Sequence, residues 1–306
     1  MKLKHITLVF NPTAGYGRKK MLFKSKKSHK NHYEITLNKI KTIFESHKIN
    51  VSVIIIDKTI NITQLVANLS LDKTDLVIAA GGDGTINSVI NGLMISNIPL
   101  GIIPIGSVNI LALDLGISSD IQQACLQIIN GQMKKIDIGK VNETYFSSMA
   151  GIGFDAKVIK HTPIKLKKKH GLLSFAFIAF KLITTYKFRP IHLFFDDNNN
   201  IKTAYFVIIN NAKYYGGKFI VSPLSSLTDG KLDITLLKKG SILSLLSFAK
   251  HLIYGTLDQC SQTEFIQATK LSLKENEKHH THVDAEYIGK KHITISIKAM
   301  GLSIIY

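Results

Sequence analysis

A chain of 306 residues, 45% of them hydrophobic, can bury a substantial core and fill two domains of ordinary size, so disorder is not the default. Basic residues outnumber acidic ones by 39 to 21, a formal net charge of +18, and all of them except Arg18 and Arg189 are lysine. Lysine offers compact point charges in place of the guanidinium fork used by sequence-specific nucleic-acid binders, so phosphates or an anionic lipid surface are the expected partners.

Met1 to His5 passes directly into an apolar run, without the long apolar stretch and small-residue cleavage site of a signal peptide. Cys125 and Cys260 form neither a metal-ligand spacing nor a disulfide framework and point to a reducing, cytoplasmic setting. ITLVF at 6–10 reads as a first strand that ends in NPTAGYG (11–17), and the lysine-rich run RKKMLFKSKKSHK (18–30) as a solvated helix or loop. Further strands are predicted at 51–56, ending in Asp57-Lys58-Thr59; at 75–80, ending in GGDGT; and at 99–105, ending in Gly106-Ser107. Helical patterns separate them, so the first half is predicted to be an α/β domain with a doubly wound parallel sheet. Each polar or glycine-rich element lies at the carboxyl end of a strand, where open α/β sheets bind ligands.

Beyond about Ile136 the pattern changes to β-rich runs: YFSSMAGIGF, IHLFF, TAYFVII, KLDITLL, EFIQATKLSLK and HITISIK. Helical segments interrupt them near 170–187 and 241–255, and DDNNN (196–200) reads as a hairpin tip. This half is predicted to be an all-β, antiparallel β-sandwich domain. The expected division is 1–137 for the nucleotide-binding domain, 138–292 for the sandwich, and 293–306 for a terminal segment returning to the first domain. Leu172 to Tyr186 is the longest apolar stretch, but Lys181 interrupts it and it falls short of the roughly 20 residues that cross a bilayer. It is expected to be a packed helix.

GGDGT (81–85) follows a continuously apolar strand and precedes a helical pattern, so its glycines allow close backbone approach and the free N–H groups of the helix start offer an anion site. Asp83 is out of place in a loop built only for negative charge; beside phosphates a carboxylate recruits Mg²⁺ or handles a proton. A ligand-free Asp-Gly turn is the plainer alternative. NPTAG (11–15) has the same logic, and the chain has neither the Walker spacing nor a dinucleotide-binding fingerprint. Asp284 and Glu286 stand two apart in THVDAEYIG, an expected extended stretch, which would turn both to one face; a solvated pair is the alternative. Asp229 lies in a turn before a strand, and His279, His280 and His282 lack the fixed spacing of a zinc site. KLKKKHG (165–171) followed by an apolar segment suits reversible docking on an anionic bilayer as well as an ordinary solvated charge run.

NPTAG, GGDGT, PIGSVNILALDLG (104–116), GIGFDA (151–156), YYGGKFIVSP (214–223), SLTDGKLDI (226–234) and VDAE (283–286) follow one another at separations that span nearly the whole chain. In that order they resemble the catalytic domain shared by bacterial diacylglycerol kinase-like proteins, sphingosine kinases and ceramide kinases. The resemblance implies an N-terminal domain of the NAD kinase and phosphofructokinase type and an ATP- and Mg²⁺-dependent lipid kinase. It places Asn11, Pro12, Thr13, Ala14 and Gly15, with Gly81, Gly82, Asp83, Gly84, Thr85, Ile86 and Asn87, against ATP, and Thr59, Ser107 and Asn109 at further edges of that site. It makes Glu286 the acceptor of the lipid hydroxyl's proton, with Asp83 and Asp284 as its catalytic companions, and gives a structural Mg²⁺ to the Asp229 carboxylate and the carbonyls of Ser226 and Lys231. Two departures stand out: Ala285 where the family has glycine, and Ile110 where it often has aspartate. The implied partners are a membrane lipid, an anionic membrane surface touched peripherally from the cytoplasm, and a second copy of the chain, but no nucleic acid. A NAD kinase-like enzyme with a soluble acceptor and a non-catalytic nucleotide or lipid sensor are the competing functions; NPTAG and DGKLD weigh against the first, Asp83 and Glu286 against the second.

Overall fold

The computed structural model describes residues 3–15, 26–57, 59–196, 201–217 and 219–306, without the side chains of 26–32, 168 and 169. Tyr16 and Gly17, residues 18–25 of the lysine-rich run and 197–200 of the expected hairpin tip lie outside the described residues. The chain divides into two compact units, residues 1–136 with 300–306, and residues 137–299.

The first unit alternates strand and helix: β1 (His5–Phe10), α1 (Lys26–Ser46), β2 (Asn50–Ile55), α2 (Ile62–Ala67), β3 (Leu76–Gly81), α3 (Asp83–Ser96), β4 (Leu100–Pro104), α4 (Ile110–Asp114) and α5 (Ile121–Asn130). The strands are parallel in the order β2-β1-β3-β4, with Ile6 opposite both Val51 and Leu76, and Ile78 opposite Gly101. β3 and β4 are buried along their whole length, which is why they read as unbroken apolar runs. Asn61 and Asp120 start α2 and α5 by accepting the N–H groups of Gln64 and Gln123. Residues 300–306 extend the same sheet: Ile304 pairs parallel with Leu100, and Leu302, Ile304 and Ile305 are buried.

The second unit is entered along β5 (Met133–Val141) and continues through β6 (Thr144–Phe146), β7 (Met149–Ile152), α6 (Phe154–His161), α7 (Ile164–His170), α8 (Leu172–Ile183), β8 (Ile191–Phe195) and β9 (Lys202–Ala204). There follow β10 (Phe206–Asn210), β11 (Tyr214–Tyr215), β12 (Phe219–Ile220), β13 (Leu232–Leu237), α9 (Ile242–Tyr254), β14 (Thr263–Ala268), β15 (Lys270–Leu273), β16 (His279–Val283), β17 (Glu286–Lys291) and β18 (Thr294–Ile305). An antiparallel sheet in the order β14-β13-β10-β7-β16-β17 packs on a second antiparallel layer, β18-β15-β8-β9. β10 shows the sandwich in miniature, because its residues alternate between two cores. Val207 and Ile209 join Phe146, Ile234, Leu271 and Ile295 between the layers, while Phe206 and Ile208 join Phe154, Leu237 and Phe248 beneath the helices.

Three runs predicted as continuous are broken, each at a carboxylate. YFSSMAGIGF divides into β6 and β7 because the N–H groups of Ser147 and Ser148 turn to Asp284. EFIQATKLSLK divides into β14 and β15, which lie in different layers, and at the break the Thr269 N–H and hydroxyl both donate to Asp196. THVDAEYIG is a hairpin, with Asp284 and Ala285 as its turn between β16 and β17.

Candidate active site

In the first unit the chain runs from β1 to β2 on one side and from β3 to β4 on the other, so the strand order reverses between β1 and β3. The crevice at the carboxyl ends of those two strands is the switch point where such sheets take ligands, and NPTAG and GGDGT follow those two strand ends. Asn11 ties them together: its Nδ2 donates to Thr85 Oγ1 at 2.8 Å, while its Oδ1 accepts the N–H and hydroxyl of Thr13. A third loop, after β4, closes against both. A Cβ on Gly15, whose φ is +71°, would lie 2.5 Å from the Ile105 carbonyl oxygen, and one on Gly106 would lie 2.5 Å from Gly82 Cα.

Gly82 begins α3 without any side-chain cap, so the first-turn N–H groups of a 14-residue helix are left for another acceptor. Asp83 points sideways across the loops, with its carboxylate accepting the N–H groups of Asn109 (3.1 Å) and Ile110 (2.6 Å). The aspartate therefore caps α4 from a distance and fixes the β4 loop to the β3 loop. Asn109 holds a left-handed backbone (φ +56°), donates from Nδ2 to the Gly106 carbonyl, and leaves a buried Oδ1 without a partner among the described residues. Two of these features fit the phosphates of a nucleotide, the glycines that bring backbone close and the uncapped helix start, whereas the Asn109 Oδ1, an acceptor, suits a hydroxyl or amine of the ligand.

Not all the expected contacts converge there. The Ile86 side chain is part of the core, and Thr59 lies exposed beyond the edge strand, with its N–H and hydroxyl both given to Asp57. Ser107 is exposed on the β4 loop, and Asn87 is buried one turn into α3.

The second unit carries the other carboxylates. Asp284 and Glu286 do not share a strand face, as the extended reading required. Asp284 (φ +44°) and Ala285 (φ +61°) form a two-residue turn with both φ positive, which sends the two carboxylates into different surroundings. Asp284 is buried and accepts the N–H groups of Ser147, Ser148 and Met149 at 2.9, 3.0 and 2.9 Å, with the Ser147 hydroxyl at 3.3 Å. Glu286 opens β17 with access to solvent, yet the packing around its carboxyl pushes its pKa above the usual carboxylate value, with Lys167 opposing the rise. The Lys167 ammonium donates to the Ala285 carbonyl at 3.2 Å, which keeps it beside the turn.

At the DGKLD turn the exposed Asp229 accepts the Lys231 N–H at 3.0 Å, and the Gly230 N–H (φ +70°) donates to Asp137 at 2.7 Å. No group of three or more His, Cys, Asp or Glu side chains among the described residues is arranged to hold a metal. The histidines of β16 each have their own partner: His279 meets Glu277, His280 meets the Tyr287 hydroxyl at 2.6 Å, and His282 meets Asp155 at 2.7 Å.

The His282–Asp155 pair was missed from sequence. Both side chains are almost wholly buried, and a Cβ on Gly151 would collide with both. GIGFDA contains the aspartate, but its partner lies 127 residues away, beyond any local signal.

Residues 5–141 match the diacylglycerol kinase catalytic domain, and residues 148–306 match the YegS C-terminal NAD kinase beta sandwich-like domain. The chain is 30% identical over 290 residues to a diacylglycerol kinase of Bacillus subtilis (strain 168), spanning 94% of this chain and 91% of that one. It is equally similar, 30% over 289 residues, to a diacylglycerol kinase of Staphylococcus saprophyticus, covering 94% and 90%. A crystal structure of a diacylglycerol kinase from Bacillus anthracis str. Sterne superposes with a TM-score of 0.77 over 100% of this chain and 98% of its own, at 22% identity, a likeness of fold.

Proposed function

The chain belongs to the diacylglycerol kinase-like family of lipid kinases, phosphotransferases with an alcohol acceptor, and from that premise we propose that it moves the γ-phosphoryl group of ATP, with Mg²⁺, onto the hydroxyl of a membrane lipid, diacylglycerol foremost. The observation that carries the proposal is the meeting of three glycine-bearing loops at the switch point, beside a helix start that no side chain caps. Mg²⁺-ATP supplies the transferable group and most of the charge neutralisation that phosphoryl transfer needs. The loops and the α3 N–H groups hold phosphate oxygens. Asp83 fixes the loops and would supply a carboxylate to the metal. Glu286 accepts the proton of the lipid hydroxyl, and its raised pKa brings it nearer the range where a general base works well. Asp284 is a positioning residue: it holds the turn from which Glu286 projects.

Asp229, with the carbonyls of Ser226 and Lys231, is the place for a structural Mg²⁺. Chelation should lower the unfolding temperature of the parent and leave Asp229→Ala unmoved; an equal response in both would remove the ion from that turn.

No helix among the described residues is long and apolar enough to cross a membrane, so contact with a bilayer would be peripheral. α8 exposes Leu173, Phe177 and Phe180, with Lys181 over the Phe177 ring and Lys167 over Phe175, an apolar stripe edged with cations. Transfer of ³²P from γ-labelled ATP, offered diacylglycerol, a sphingoid base and NAD in parallel, tests the function. Label in a lipid is the expected result; label in NAD alone would replace the lipid by a soluble acceptor, and no label in any of the three would count against the kinase reading.

A further inference from the structure

The second unit holds a cavity of about 290 Å³ that none of the chemistry above uses. Its walls carry five cations, Lys157, Lys187, Arg189, Lys278 and Lys290, and no carboxylate. They do not come from one charge run, which would be a solvated face. Lys157 projects from α6, Lys187 and Arg189 from the segment after α8, Lys278 from the residue before β16, and Lys290 from β17. The tertiary fold collects them, and among the described residues none of the five forms an ion pair. The carboxylates nearby are engaged elsewhere. Glu277 accepts from His192 and His279, and Asp155 accepts from His282. From residue 156 to 195 the chain has nine lysines and arginines and no acidic residue.

Like charges converging on one concavity repel, and the cost falls when an anion sits among them. The histidines register the same field. Burial first, and then Lys160, Lys290, Lys157 and His161, lower the pKa of His280, while burial is the leading cause for its neighbour His279. The cavity lies near the low end of the ~300–1,000 Å³ typical of ligand pockets, which suits a small headgroup better than a nucleotide. Five positive charges match a dianion with several acceptor oxygens.

We propose that this cavity binds a phosphate group, either free as inorganic phosphate or carried on a lipid headgroup. Its ligand is distinct from the nucleotide assigned to the first unit, and binding requires neither ATP nor turnover. On the kinase reading, a phosphomonoester is also what the reaction leaves on the lipid, so the cavity would sense or retain product.

The test is phosphate titration by calorimetry, with no nucleotide present, on the parent, on Arg189→Gln/Lys290→Gln, and on Lys238→Gln/Lys239→Gln, which removes two exposed charges that do not line the cavity. The cavity variant should lose affinity tenfold or more and keep its unfolding temperature, and the control pair should match the parent. Should the double variant fail to fold, Lys187→Gln alone is expected to weaken binding about fivefold. A second arm floats each protein with phosphatidylcholine vesicles carrying phosphatidic acid, or phosphatidylglycerol at equal surface charge. Preference for phosphatidic acid that the cavity variant loses identifies a lipid headgroup; phosphate binding without that preference identifies the free ion. Equal phosphate affinity in parent and cavity variant, or an equal loss in the control pair, overturns the proposal. Because no step needs ATP, failure of the kinase reading would leave these outcomes unchanged.

Discussion

Asp284 and Glu286 are two residues apart and meet opposite environments. The first is saturated with N–H donors; the second lies on an exposed residue, with its carboxyl partly desolvated and one cation near it. Glu286→Gln removes the proposed proton acceptor and leaves the first-unit loops intact, so kcat should fall roughly a hundredfold or more with nucleotide affinity nearly unchanged, as read by turnover beside calorimetry with a non-hydrolysable ATP analogue. Turnover at the parent rate would remove Glu286 from the chemistry. The acid limb of the pH profile gives a second check. A base must be ionised to act, and burial raises this carboxyl's pKa, so activity should fade as pH drops through a value above that of an ordinary glutamate. Lys167 works against the rise; Lys167→Gln should therefore move the limb to higher pH, and a limb that stays put would mean another group sets it. Ala285 pays for its place in the turn, since φ of +61° costs a residue with a Cβ about 1 kcal/mol. Ala285→Gly should raise the unfolding temperature by about 2–4 °C in a thermal melt.

Among the elements, the glycine loops leave the least room for change. Gly106→Ala would drive a Cβ into Gly82 Cα and to 2.7 Å from Asn109 Oδ1, so the β3 and β4 loops must part. We expect nucleotide affinity to fall at least tenfold by calorimetry, with the second unit's thermal transition unmoved. β3 and β4 were legible in the sequence because burial on both faces leaves a continuous apolar run that stops at a glycine-bearing loop, and β1 and β2 because their apolar runs stop at Asn11-Pro12 and Asp57, although β2 is an edge strand without a buried residue. Their predicted and observed bounds differ by a residue. The sandwich was legible as a class but not strand by strand. Its breaks are made by distant carboxylates: Asp284 reaches Ser147 across 137 residues, and Asp196 reaches Thr269 across 73. A local window sees only Ser-Ser or Thr-Lys there. Asp284 and Glu286 were misplaced on one face for the same kind of reason, since an Asp-Ala pair is a weak turn signal beside the Asp-Gly that two positive φ values favour.

At the scale of the molecule, a net charge of +18 makes attraction to anionic surfaces long-ranged at low salt and short-ranged, about 8 Å, at physiological ionic strength. Flotation with vesicles should rise with the fraction of anionic lipid and fall as salt is added. Binding indifferent to both would leave the apolar stripe of α8 as the sole anchor.

The chain leaves the first unit after residue 136 and comes back to it only at residue 300. A growing polypeptide therefore has its parallel sheet nearly assembled, β1 to β4, while the strand that pairs with Leu100 has yet to be made. At ordinary rates of synthesis the wait is on the order of ten seconds or more, long against the folding time of a small domain. Until then the β4 margin carries open backbone groups of the kind that recruit stray strands. The second unit has to be translated before that margin is closed, so the nascent chain's exposure to misassembly is set by the length of an insertion and not by the stability of either unit.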